Sequence, residues 1–133
     1  MYANCLRRGC SIAKNTLTEL FEQVAIIGVL VAISIPIFTS QLEKARDATD
    51  AANLRAAYAQ VSADLLTNSD PAVTSKKSEA VKITGQKEGF EGISEIAGVS
   101  TTTDSVLKAA KTGQSITVTV SENSKAPVFE VAK

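Results

Sequence analysis

Apolar and polar positions follow three different patterns along this chain. From Val24 to Phe38, "VAIIGVLVAISIPIF", apolar residues run almost unbroken. From Leu42 onward they recur at three- and four-residue spacing: Leu42, Ala45, Thr49, Ala52, Ala56, Ala59, Ala63 and Leu66, widened by Leu54, Tyr58, Val61 and Leu65. That period predicts an amphipathic helix, whose stripe over Leu54–Leu66 is expected to face its own domain. Glu43, Lys44, Arg46, Asp47, Asp50, Arg55 and Asp64 lie off the main stripe and read as the solvated face. Beyond Thr67 the pattern shortens to alternation, in "SITVTV" (Ser115–Val120) and "VFEV" (Val128–Val131), with "SENSKAP" as a turn between them. Two alternating runs joined by turn residues predict a hairpin.

The boundaries follow from breakers. Thr16 with Glu19 three residues on makes a capping box, the expected helix start. Between Leu17 and Thr67 the only strong breaker is Pro36, with Gly28 a milder weakness. Fifty helical residues would make a rod of roughly 75 Å. Pro36 lacks an N–H and crowds the preceding turn, so a kink is expected there. "TNSDP" (Thr67–Pro71) ends the helix. "AVKITG" (Ala80–Gly85) reads as a short strand, "KEGFEGISEIAG" as a glycine-punctuated loop, and "TTDSVLKAAKTG" (Thr102–Gly113) as a short helix. The expected fold class is α+β: a long N-terminal helix packed by its amphipathic half on a small antiparallel sheet. The expected divisions are a basic leader 1–14, an apolar helix 15–40, its amphipathic continuation 41–67, and a small head 68–133.

Composition narrows the chemistry. The chain has 133 residues and is 44% hydrophobic, yet much of that content is concentrated in one segment. Roughly 90 residues remain for a soluble core, a small and marginal domain. Net charge is zero, but Arg7, Arg8 and Lys14 precede Asn15 with no acid among them. No basic stripe with interleaved aromatics supports nucleic-acid binding. There is no histidine, and both cysteines, Cys5 and Cys10, fall in the first ten residues. Catalytic pairs, thiolate metal sites and glycine-rich phosphate loops are therefore missing, and an enzyme is not expected. Glu88 and Glu91, beside glycines in a polar stretch, read as solvated.

Val24–Phe38 alone would span about 22 Å, short of the roughly 30 Å hydrocarbon core of a bilayer. Extended back to Thr16 the helix reaches about 34 Å. Spanning then brings Glu19 and Glu22 into the first turns of the span, where a charge costs less than the roughly 2.5–3.5 kcal/mol of the bilayer centre. The basic residues ahead of the helix favour a cytoplasmic N-terminus. Residues 1–14 read either as the n-region of a targeting segment or as a tail. A buried core helix would account for the apolar run, but not for the basic leader or for charged helix continuing past it.

"TLTEL" (Thr16–Leu20) followed by "VAIIGVLVAISIPIF" resembles the N-terminal helix of type IV pilins and pseudopilins. In that family an apolar residue opens the mature chain, Thr-Leu follows, glutamate is fifth and proline twenty-second. Placing Asn15 first puts Glu19 fifth, Gly28 fourteenth and Pro36 twenty-second, without a gap. The specific match covers Thr16–Ser40.

The resemblance implies cleavage by a prepilin peptidase between Lys14 and Asn15, methylation of the new terminus, and a helix drawn from the membrane into a filament core. It implies a Glu19 carboxylate matched by the terminal amine of a neighbouring subunit. Gly28 would allow close helix approach and Pro36 would loosen the helix for packing. The implied partners are other pilin subunits, the peptidase, the pilus or secretion assembly machinery, and the membrane. The implied location is the inner (cytoplasmic) membrane, then an extracytoplasmic filament. Where the family has glycine before the cut, this chain has Lys14. Asn15 replaces the usual apolar first residue, and Glu22 and Gln23 occupy positions that are normally apolar. A shifted cut between Gly9 and Cys10 would follow basic residues, but would move Pro36 five places out of register. Some pseudopilin heads bind calcium. Asp70, Glu88, Glu91 and Asp104 form no loop motif for it, so no metal or cofactor is expected. Two other readings stay open: a single-pass anchored extracytoplasmic binding domain that does not polymerise, and a soluble enzyme with Val24–Phe38 as its core helix.

Overall fold

The computed structural model describes residues 5–70 and 72–132, with side chains from Thr16 onward. Contacts divide the chain into two compact units, Met1–Thr39 and Ser40–Lys133.

One helix, α1, runs from Cys5 to Leu66. It begins eleven residues before Thr16, so Thr16 lies within the helix and is not its cap. The reason is local: residues 5–15 contain no proline and a single glycine, and nothing there stops the helix. Pro36 lies inside it and the helix continues through. Proline has no N–H to give the carbonyl one turn back, that of Ala32. Hydroxyls in the same stretch are tied to the backbone: Ser34 Oγ donates to the Leu30 carbonyl at 2.7 Å and Thr39 Oγ1 to that of Pro36 at 3.0 Å. Such bonds hide polar groups within an apolar helix. At the other end, the Thr67 N–H reaches the Ala63 carbonyl, and Asp70 Oδ1 takes the Ala72 N–H in a side-chain turn that closes the helix.

Within the unit Ser40–Lys133, α1 packs on a small antiparallel sheet. Its strands are β1 (Ser75–Lys77), β2 (Val81–Lys82), β5 (Ser115–Ser121) and β6 (Val128–Val131), with β5 between β6 on one side and β1 and β2 on the other. The expected hairpin is β5–β6, with Thr119 opposite Val128 and Ile116 opposite Val131. β1 and β2 act as one interrupted strand. Lys77 pairs with Thr119 and Val81 with Ile116, so three residues oppose two. The extra residue is a β-bulge. Ser78 bridges it: its N–H donates to the Val118 carbonyl, and its Oγ accepts the Val118 N–H at 2.9 Å. The strand expected over Ala80–Gly85 thus shrinks to Val81–Lys82, and β1 appears where none was expected.

The stretch read as a glycine-punctuated loop ends in β3 (Glu95–Ile96), which pairs with β4 (Val99–Ser100) just beyond it in a second, two-stranded sheet. Ala97 and Gly98, between paired Ile96 and Val99, both have positive φ (51° and 83°). That is the signature of a two-residue type I′ turn. The short helix α2 covers only Ser105–Lys108, with Asp104 capping it by accepting the Val106 and Leu107 N–H groups at 3.0 and 2.9 Å. It stops early because residues 111–114 leave the helix: the Gln114 N–H bonds back to Lys111, and Gly113 takes φ 86°.

The core joins Leu54, Ala51 and Ala57 of α1 to Ile83, Phe90, Ile96, Leu107, Ile116, Val118 and Phe129. The inward face of α1 therefore differs from the expected main stripe. Leu42 and Leu66 are 40% and 86% exposed, and the alanines between them at 45, 52, 56, 59 and 63 are also exposed. Leu54, Val61 and Leu65, read as widening the stripe, are buried as expected, and with them Glu43, Asp47, Asp50, Ala51 and Ala57, which were not. Area explains the choice. Fully burying a leucine or valine is worth about 1.5–3 kcal/mol, and alanine offers far less surface. The face holding Leu54, Val61 and Leu65 wins.

Candidate functional site

Two regions of α1 carry chemistry, one in each unit. In the first, thirteen large apolar side chains from Leu17 to Phe38 are 48–73% exposed. The described helix is long and apolar enough to cross a membrane, and none of its most apolar stretch is buried. A surface of this size and apolarity in water calls for lipid or another protein to cover it. Glu19 and Glu22 stand exposed near its start, three residues apart and so on nearly one face. A Cβ added at Gly28 would meet nothing within 4 Å beyond its own helical turn among the described residues, so packing there does not call for glycine. The backbone of α1 passes through Gly9, Cys10, Lys14 and Asn15, whose side chains lie outside the described residues, as does the leader reading of residues 1–14.

In the second region three carboxylates lie along one stripe of α1, at successive turns: Glu43, Asp47 and Asp50, only 4%, 1% and 1% exposed. This overturns their reading as a solvated face. Their partner is a strap, residues 83–91, that follows β2. Asp50 Oδ2 accepts the Thr84 N–H at 2.7 Å and the Gly85 N–H at 2.9 Å, while its Oδ1 accepts the Thr84 hydroxyl at 2.9 Å. Glu43 Oε1 accepts the N–H of Gln86 in a short bond and that of Lys87 at 2.6 Å. Asp47 Oδ2 accepts the Glu91 N–H at 2.7 Å. Five backbone donors with no partner in any ladder are thereby satisfied by side chains of one helix. The opposite side of the strap is tied to residues 110–114. Ile83 exchanges backbone bonds with Gln114 and Gly113, the Gly89 N–H reaches the Ala110 carbonyl, and the Thr112 hydroxyl donates to the Gly85 carbonyl.

Cations near the cluster are few. Arg46 lies 3.9 Å from Glu43, and the Lys87 ammonium is bonded to Glu91 at 3.0 Å. Burial pushes the Asp47 carboxyl above the usual carboxylate range. The Glu91 N–H pulls the other way, and the charges of Glu43, Asp50 and Glu91 add to the rise. At the exposed rim, Lys87 holds the Glu91 carboxyl below its ordinary range, and Glu91 in turn raises the Lys87 ammonium.

Gly85 is where the strap meets α1 most closely. A Cβ there would collide with Asp47 Oδ1, which belongs to a buried side chain. Gly85→Ala should therefore destabilise the unit Ser40–Lys133 by about 1–3 kcal/mol, the range for overpacking. Urea unfolding would register this as a lower midpoint with an unchanged slope. An unaltered midpoint would mean that the strap does not sit this close.

The carboxylates considered for calcium are dispersed and occupied. Asp70 closes the α1 turn, Glu88 pairs with Lys111, Glu91 pairs with Lys87, and Asp104 caps α2. Among the described residues no group of three or more His, Cys, Asp or Glu side chains is arranged to hold a metal ion. No family model, curated protein or solved structure matches the chain.

Proposed function

We propose that this chain is a non-catalytic structural subunit of a type IV pilus or type II secretion-like filament, polymerising through its N-terminal apolar helix. The observation that carries this reading is the exposed apolar surface from Leu17 to Phe38, on a helix that continues without a break to Leu66. A signal peptide has no need of that continuation. A filament subunit does, because the same helix must lie in a membrane before assembly and among its copies afterwards. In this reading the apolar helix inserts in the cytoplasmic membrane with its N-terminus inside, and assembly machinery draws it into an extracytoplasmic filament. A prepilin peptidase acts on the leader at Lys14/Asn15 or at Gly9/Cys10. Glu19 is the assembly charge: unpaired in an apolar bundle it would be costly, so a cation of the adjoining copy has to face it. Gly28 then serves close approach between helices, which fits the open space that a Cβ there would meet among the described residues.

Lys14, in place of the glycine that the family has before its cut, favours a second reading. In that reading the chain stays a single-pass anchor and its extracytoplasmic unit binds a partner without polymerising. Glu19→Ala separates the two. The filament reading expects unchanged membrane insertion and at least a tenfold loss of sedimentable, sheared polymer, about 1.4 kcal/mol or more of assembly free energy. Equal polymer from the variant would remove the role of Glu19. No polymer from either form would favour the anchor.

A further inference from the structure

The three buried carboxylates of α1 are unequally compensated. Asp50 accepts two backbone N–H groups and a hydroxyl, and Glu43 accepts two N–H groups with Arg46 nearby. Asp47, between them and 1% exposed, is bonded to one N–H, that of Glu91. Negative charge therefore accumulates at the middle position, under the strap it is meant to hold. We infer that residues 84–91 form a latch on α1 that mild acid tightens, because adding a proton to Asp47 relieves the repulsion along the stripe and leaves the strap's hydrogen bonds in place. A neutral carboxyl still offers an oxygen to the Glu91 N–H; that bond weakens, but burial together with the charges of Glu43, Asp50 and Glu91 outweighs the loss.

The surrounding charges fit this direction. On α1 itself stand Glu43, Lys44, Arg46 and Asp50; on the strap, Lys87, Glu88 and Glu91; beyond it, Lys108 and Lys111. Lys87 is engaged by Glu91 and Lys111 by Glu88, and Arg46 approaches Glu43 only at 3.9 Å. No cation is bonded to Asp47 among the described contacts. Because burial raises the folded-state pKa of Asp47, the protonated form stabilises the fold. That contribution is complete at low pH and is lost as pH rises through the folded value. The Lys87–Glu91 pair does not mask the effect, since Glu91 titrates below the ordinary range and stays charged in mild acid.

Amide hydrogen exchange tests the latch on the full chain in detergent micelles. Protection factors at Thr84, Gly85, Gln86, Lys87 and Glu91, corrected for intrinsic rates, should rise about three- to tenfold from about pH 7 to about pH 5, where ordinary carboxylates are still largely ionised. Asp47→Asn keeps the oxygen acceptor and removes the charge. It should show the acid level of protection at both pH values. Protection that falls in acid, or an Asp47→Asn variant with the wild-type pH dependence, would overturn the inference. Should the variant fail to fold, a carbon-detected NMR titration of the wild-type Asp47 carboxyl decides. A midpoint at about pH 5 or above supports the latch, and a lower one ends the case, because Asp47 would then stay ionised across the tested range.

Discussion

A chain beginning at Ser40 should be a soluble monomer that melts as one cooperative unit, while the full chain should sediment with membranes and need detergent for release. The expectation follows from where each unit keeps its apolar surface. The unit Ser40–Lys133 has its own core, with Leu54, Ile83, Ile96, Leu107, Ile116 and Val118 at 2% exposure or less. Its polar strap is fastened from within, so removing residues 1–39 takes nothing from that core. Leu17–Phe38 holds thirteen large apolar side chains about half exposed or more. At about 25 cal/mol per Å² of apolar surface, covering them is worth on the order of 10–20 kcal/mol, far above what anchors a peripheral protein. Fractionation with and without detergent, followed by sedimentation of the shortened chain, measures both halves of the prediction. A full chain that stays monomeric in plain buffer would overturn the membrane and filament readings together.

Asp50→Ala should be among the most damaging single substitutions in the unit Ser40–Lys133. It removes the acceptor for the Thr84 and Gly85 N–H groups and the Thr84 hydroxyl, at a side chain 1% exposed. Hydrogen bonds to a charged acceptor are worth about 1.5–3 kcal/mol each, and a stranded buried donor adds its desolvation cost. Partial relaxation of the strap toward water reduces the total, leaving an expected loss of about 3 kcal/mol. In a domain of this size that lowers the melting temperature by on the order of 10–20 °C. Asp50→Asn, which keeps one oxygen, should lose roughly half as much. A thermal melt of the Ser40–Lys133 chain reads both. A shift of only about two degrees for Asp50→Ala would show that the strap is held without Asp50.

Much of the fold was legible because its signals are local. A fifty-residue stretch with one proline predicts a long helix, and the alternation of "SITVTV" and "VFEV" predicts the β5–β6 hairpin. Strands of two or three residues leave too little alternation to read, which is why β1, β3 and β4 were missed. The inward face of α1 was misread for a different reason. Glu43, Asp47 and Asp50 look solvated because acids usually are, and the groups that hold them are backbone N–H groups 34–44 residues further on. Backbone donors carry no residue signature. One signal did exist: positions 43, 47, 50, 54, 57, 61 and 65 make a continuous helical stripe whose later members are Leu, Ala, Val and Leu. Following that stripe backward from Leu54 would have placed the acids inside. The apolar segment was legible from hydropathy alone, and among the described residues its large side chains stand exposed.

Because α1 grips the strap chiefly by its main chain, with the Thr84 hydroxyl as the one side-chain bond, the two surfaces of this segment are constrained differently. Gly85 is confined by Asp47, but Gln86 and Lys87 point outward while their N–H groups do the fastening. Any residue except proline can supply that donor. The outer identity of the strap can therefore drift from one lineage to another, changing what the exterior presents, while the attachment beneath it stays the same.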